Sequence, residues 1–131
     1  MVKFLLAALQ GGKPSEVVFS FNAYGKPAPK AGPFVFNTSS SGNSLLLAIG
    51  RRSEVGEIGV DLETTRPMPD ALLIAQHFFS KDEAAELGSL AGDERDQAFF
   101  NWWTRKEALI KAAGSGVCFG LERLSVFILA H

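Results

Sequence analysis

Apolar and polar positions change period along this chain, and the changes mark its elements. Val2–Gln10 is apolar at helical spacing and stops at Gly11-Gly12, the usual way a helix ends. Val17, Phe19 and Phe21 alternate with Glu16, Val18 and Ser20, the period of a strand with one buried face. Tyr24-Gly25-Lys26-Pro27 reads as a turn, and Pro27, Pro29, Gly32 and Pro33 keep the chain irregular after it. Phe34 and Phe36 begin a second strand that runs into the polar stretch Asn37–Asn43. Ser44–Ile49 is an apolar strand, Arg51–Glu57 a charged hairpin loop, and Ile58–Glu63 the returning strand.

The second half of the chain has helical character. Pro67 and Pro69 precede a short helix at about Asp70–His77. Ser80 and Glu83 have capping-box spacing, which predicts a helix starting at Ser80. Asp93 opens a longer helix to about Ala113, carrying Phe99, Phe100, Trp102, Trp103, Leu109 and Ile110 and ended by Gly114 and Gly116. Arg123–Leu129 has strand composition. Strands first and helices later, with a closing strand, define an α+β pattern rather than repeated βαβ units.

Composition narrows the function classes. The 131 residues fit one domain, and 47% hydrophobic content with 11 Phe supplies an aromatic core. The net charge of −1 offers no global field for nucleic acid, so any anion site must be local. One cysteine, Cys118, excludes an internal disulfide and fits a reducing, cytoplasmic setting. No apolar run reaches the roughly 20 residues that span a membrane.

Two groups of residues carry candidate chemistry. In Gly59-Val60-Asp61-Leu62-Glu63, residues two apart on a strand share a face. Asp61 and Glu63 then point together, with Gly59 leaving room beside them. Two like charges on one face call for water or a cation, and hard oxygen ligands suit Mg²⁺; a solvated acidic strand end is the plainer alternative. In Trp102-Trp103-Thr104-Arg105-Lys106-Glu107-Ala108-Leu109-Ile110-Lys111, Trp103, Glu107 and Lys111 lie on one helical face at i, i+4 and i+8. Glu107 and Lys111 are either a third metal ligand beside a phosphate-binding cation or a surface pair contributing about 0.3–0.5 kcal/mol. Trp103 is either core or close to that site. With His77 and the terminal His131 as its only histidines, the chain offers no histidine metal site or Ser-His-Asp triad.

These features recur in one order. Gly25-Lys26-Pro27 is followed by Phe36-Asn37-Thr38-Ser39-Ser40-Ser41, then Gly59–Glu63, then His77-Phe78-Phe79-Ser80, then Trp103-Thr104-Arg105-Lys106-Glu107-Ala108 with Lys111. The order resembles the Sfp-type 4′-phosphopantetheinyl transferases from about Phe4 to Leu129. The resemblance implies that family's fold, an antiparallel sheet packed with helices. It implies a single domain over 1–131, with about 1–63 the remainder of a first half, about 64–131 a second half, and the family's pseudo-dimer incomplete.

It implies Asp61, Glu63 and Glu107 as Mg²⁺ ligands, with Glu107 and Lys111 in the catalytic centre and Glu107 taking or positioning the proton of the incoming serine. Lys26, Ser39, Ser40, Lys106 and Lys111 fall at positions that hold CoA. The implied reaction moves the phosphopantetheine arm of CoA to a serine of an apo acyl or peptidyl carrier protein, a holo-acyl-carrier-protein synthase activity releasing 3′,5′-ADP. A CoA- or carrier-binding module without catalysis and a Mg²⁺-dependent phosphohydrolase are the rival readings.

Two departures from the family pattern follow. Ser40 stands where the family usually has a histidine, so weaker CoA binding, or different recognition of its 3′-phosphate, is expected. The missing upstream part of a first half would leave apolar surface exposed, so self-association is expected.

Overall fold

The computed structural model describes residues 1–114, and the predicted strand Arg123–Leu129 lies outside them. The described part is α+β, with four helices and two antiparallel hairpins. Helix α1, Val2–Gln10, closes on Gly11, whose left-handed backbone (φ 72°) turns the chain so that the Gly12 N–H reaches the Ala7 carbonyl at 2.9 Å. It buries Leu6 and Ala7. A 3₁₀ turn at Pro14–Glu16 follows, and Val17 is buried beyond it.

The first hairpin differs from the expected pattern. Strand β1 is only Phe19–Phe21, and it pairs with β2, Pro27–Pro29, in the register Phe19↔Pro29 and Phe21↔Pro27. The proline-rich segment is therefore a strand, although irregular chain was expected there. Proline lacks the N–H of a ladder but is tolerated in a short edge strand. Asn22 folds the turn by accepting from the backbone N–H groups of Tyr24 and Lys26, both at 2.9 Å.

The second hairpin pairs β3, Phe34–Ser41, with β4, Ser44–Arg51. Gly42 supplies the positive φ (56°) of its two-residue turn. The polar stretch after Phe36 is thus strand as far as Ser41, because Ser39, Ser40 and Ser41 pair across to Leu46, Leu45 and Ser44. One core lies between α1 and this hairpin and contains Leu6, Ala7, Val17, Phe34 and Phe36.

Ile58–Glu63 is extended but belongs to no backbone ladder among the described residues, so the returning strand is corrected. The N–H groups of Val60 and Leu62 are taken by side chains of β3 instead, as described below.

Helices α2 (Ala71–Phe78), α3 (Lys81–Ser89) and α4 (Gly92–Ala113) form the second core. The capping box forms as its spacing requires: Ser80 Oγ accepts from Glu83 N at 3.3 Å, and Glu83 accepts from Ser80 N at 2.8 Å. On α4 the buried stripe runs Phe99, Trp102, Lys106, Ile110, the spacing of one helical face. Phe79 stacks on Phe99 at 5.5 Å and meets Trp102 edge-on at 6.1 Å. Trp103 stacks on Phe99 at 5.8 Å, so this tryptophan is part of the aromatic core. No described helix is long and apolar enough to cross a membrane.

Candidate active site

The far end of α4 is where the two halves of the described chain meet. Asn22 Nδ2 donates to the Gly114 carbonyl at 2.8 Å, and Lys26 Nζ to the Ala112 carbonyl at 3.0 Å. The last carbonyls of a helix lack partners within it and carry partial negative charge, which draws these donors. Lys26 also pairs with Glu57 at 2.7 Å; its own side chain is largely covered while Glu57 is exposed.

Facing this helix end is the extended segment with the carboxylates. Gly59 packs against α4 so closely that a Cβ there would overlap Ala108 O and Ala112 N and come 2.9 Å from Ala112 Cα. Only glycine permits that approach, and it brings Asp61 to the helix surface. Backbone atoms cannot yield as a flexible side chain can. Gly59→Ala is therefore expected to destabilise the fold by about 1–3 kcal/mol in urea denaturation, as overpacking does.

Asp61 is the centre of the cluster. Its Oδ1 accepts from Lys111 Nζ at 2.6 Å and from Ser39 Oγ at 2.9 Å, while Lys111 also reaches Ser39 Oγ at 3.0 Å. Its Oδ2 is buried with no hydrogen-bond partner among the described residues. Glu63 lies beside the cluster and pairs with Arg66 at 3.2 Å. Glu107 is held above the ordinary carboxylate range, first by burial and then by the charge of Asp61; Lys111 opposes the shift and Glu63 adds to it. Glu107 and Lys111 line a cleft of about 250 Å³ with Lys26, Asn37, Thr38 and Tyr24.

The structure thus gathers Asp61, Glu107, Lys111, Ser39 and Lys26 at one end of α4, with Glu63 next to them. Ser40 is exposed and, by strand alternation, on the face of β3 opposite Ser39. Lys106 is placed elsewhere. It is fully buried in the helical core, 2.8 Å from Glu83 and over the ring of Phe79. The signal for this was available: residues 99, 102, 106 and 110 share a face, so Lys106 falls on the apolar stripe. Missed altogether were its partner Glu83 and the anchoring role of Asn37, whose Oδ1 accepts from Val60 N at 2.9 Å.

Does the cluster suit Mg²⁺? Among the described residues no three His, Cys, Asp or Glu side chains form a ready cage. Mg²⁺ needs no such preformed cage, since it keeps several waters and takes substrate phosphates beside a few carboxylates. The unpartnered Oδ2 of Asp61 and the raised Glu107 carboxyl are hard oxygens short of positive charge, and they fit such an ion.

Comparison with known proteins shows the family to which the chain belongs. The family model for the 4′-phosphopantetheinyl transferase superfamily matches residues 57–131, which hold Asp61, Glu63, Glu107 and Lys111. A Synechocystis sp. protein, slr0495, is 37% identical over 127 residues, covering 94% of this chain and 50% of the relative. The 4′-phosphopantetheinyl transferase HetI of Nostoc sp. is 34% identical, covering 96% of this chain and 53% of HetI. The 4′-phosphopantetheinyl transferase Sfp of Bacillus subtilis is 37% identical, covering 86% of this chain and 48% of Sfp. The chain belongs to the 4′-phosphopantetheinyl transferase superfamily. It spans about half the length of the curated relatives it matches.

Proposed function

We propose that this chain carries the site of a Mg²⁺-dependent phosphopantetheinyl transfer from CoA to a serine of an acyl or peptidyl carrier protein. The observation that supports it best is the juxtaposition of Asp61 with Lys111 and Glu107, the latter two lining a cleft together with Lys26. Two ammonium groups beside a carboxylate cluster suit a ligand that brings phosphates, and superfamily membership supports CoA as that ligand.

In this reading Asp61, Glu107 and Glu63 hold the ion. When bound, Mg²⁺ neutralises charge that builds on the pyrophosphate oxygens as the bond breaks. Lys111 and Lys26 bind the phosphates. Each now rests on a carboxylate that a phosphate oxygen would replace. Glu107, with its raised pKa, accepts the proton of the serine hydroxyl or orients it. The serine oxygen bonds to the pantetheine-side phosphorus, the pyrophosphate P–O bond breaks, and 3′,5′-ADP leaves with the bridging oxygen.

The test is intact-mass spectrometry of several apo carrier proteins after incubation with the chain, CoA and Mg²⁺, beside an EDTA control. A gain of one phosphopantetheine arm that EDTA abolishes supports the reading. A folded chain that binds CoA and modifies no carrier would instead make it a binding module of the same fold.

A further inference from the structure

The segment bearing Asp61 and Glu63 is held by an unusual device. Alternate residues of β3 share a face, and on this face they are Asn37, Ser39 and Ser41. Their side chains accept from the backbone N–H groups of Val60 (2.9 Å), Leu62 (3.2 Å) and Thr64 (3.1 Å). Each step of two along β3 is matched by a step of two along the segment, in the same direction. The rungs are side chain to backbone, and no strand ladder backs them among the described residues.

We propose that Asn37, Ser39 and Ser41 form a positioning ladder that sets which side chains of the segment face α4, and so places the acidic cluster. This rests on the reading of that cluster as a cation and phosphate site. The argument is one of register. A side-chain period of two means that a slip by one residue would turn Val60 and Leu62 toward α4 and carry Asp61 and Glu63 away. Gly59 sets how close the segment lies to the helix and resists a slip at that one contact, since a neighbouring residue there would bring a Cβ into the backbone of α4. The rungs hold the register along the rest of the segment, because an N–H at every second residue meets an acceptor at every second residue.

Ser39 is the rung that joins ladder to site. A serine hydroxyl offers one donor and two acceptor positions. Here it donates to Asp61 and accepts from Leu62 N and Lys111 Nζ, so its capacity is filled within the protein. Ser41 makes hydrogen bonds to neither Asp61 nor Lys111 and does not line their cleft, so its effect on the cluster must travel through the segment, whereas Asn37 also lines the cleft beside Glu107 and Lys111. A plainer role is conceivable, in which the rungs merely satisfy N–H groups that would otherwise be lost. The two differ in what the cluster feels.

The experiment uses the full chain with Mn²⁺ as probe, in Asn37→Leu, Ser41→Ala and Ser41→Thr. Three quantities are read: hydrogen exchange at the Val60 and Thr64 amides, Mn²⁺ affinity by titration, and the NMR signal of the Lys111 ammonium. Asn37→Leu and Ser41→Ala should lose protection at Val60 and Thr64 respectively, shift the Lys111 signal and bind Mn²⁺ about 10-fold more weakly, the scale seen when the support of a metal ligand is removed. Ser41→Thr keeps the hydroxyl and should match the parent.

Lost protection with an unmoved Lys111 signal and parental Mn²⁺ affinity would overturn the ladder as a positioning device. A parent chain that binds no Mn²⁺ would sink the cation reading instead, and the Lys111 signal alone would then decide the ladder. Ser41 lies away from the core, so the Ser41→Ala and Ser41→Thr pair decides if Asn37→Leu does not fold.

Discussion

Glu107→Gln is expected to lower carrier modification by roughly 10²–10⁴-fold, the usual contribution of a positioned general base. The same change should make the ion-free protein more stable at neutral pH. Both follow from one arrangement. Glu107 is driven upward in pKa by burial and by Asp61 and Glu63, with Lys111 opposing. Its folded pKa therefore lies above its unfolded one, and the native state holds a proton that the unfolded chain has released.

Stability then falls as pH rises through the window between the two values, and above the folded value the full penalty of the buried charge is present. Glutamine carries no such charge. The melting temperature of Glu107→Gln minus that of the parent should widen from low pH upward across this window and then level off. A gap that narrows with rising pH would contradict the raised pKa. Unchanged carrier modification would remove Glu107 from the reaction whatever the melting curves show.

Legibility in the sequence followed the kind of force at work. Local signals were reliable: the left-handed glycine after α1, the capping box of Ser80 and Glu83, and the end of α4 at Gly114 all formed where their spacing placed them. The faces of Asp61, Glu107 and Lys111 were legible too, because they are charged residues at strand and helix periods, and the structure brings the three side chains together. The errors lay in long-range pairing. Pro27–Pro29 pairs as a strand because Phe19–Phe21 is there to receive it, which no property of the prolines announces.

Ile58–Glu63 alternates as a strand should, yet its partners are hydroxyl and amide side chains. A polar run such as Asn37–Ser41 looks the same whether it faces water or a neighbouring segment. The face of Asp61 and Glu63 was nevertheless read correctly, since an extended chain alternates whatever holds it.

Lys106 shows why a motif position and a physical position need separate tests. Lys106→Met is expected to destabilise the fold by about 3–5 kcal/mol, the cost of removing one partner from a buried ion pair. Methionine keeps most of the stem packing, so the loss isolates the charge. The ammonium is completely buried, 2.8 Å from a Glu83 carboxylate that is itself 8% exposed, with the Phe79 ring 5.5 Å away. Glu83 also holds the first turn of α3 through Ser80 N, so this one carboxylate ties α3 to α4.

Replacing both partners by apolar residues, Glu83→Leu with Lys106→Met, should recover much of the loss, because a buried pair and a well-packed apolar pair are often close in free energy. The remainder should be near 1 kcal/mol, from the capping bond that leucine cannot make. Urea denaturation and a CoA titration on the same variants separate the roles. A structural lysine lowers stability and leaves CoA affinity of the folded fraction unchanged. A phosphate-binding lysine would do the reverse, with CoA affinity falling in Lys106→Met while its unfolding midpoint stayed at the parental value.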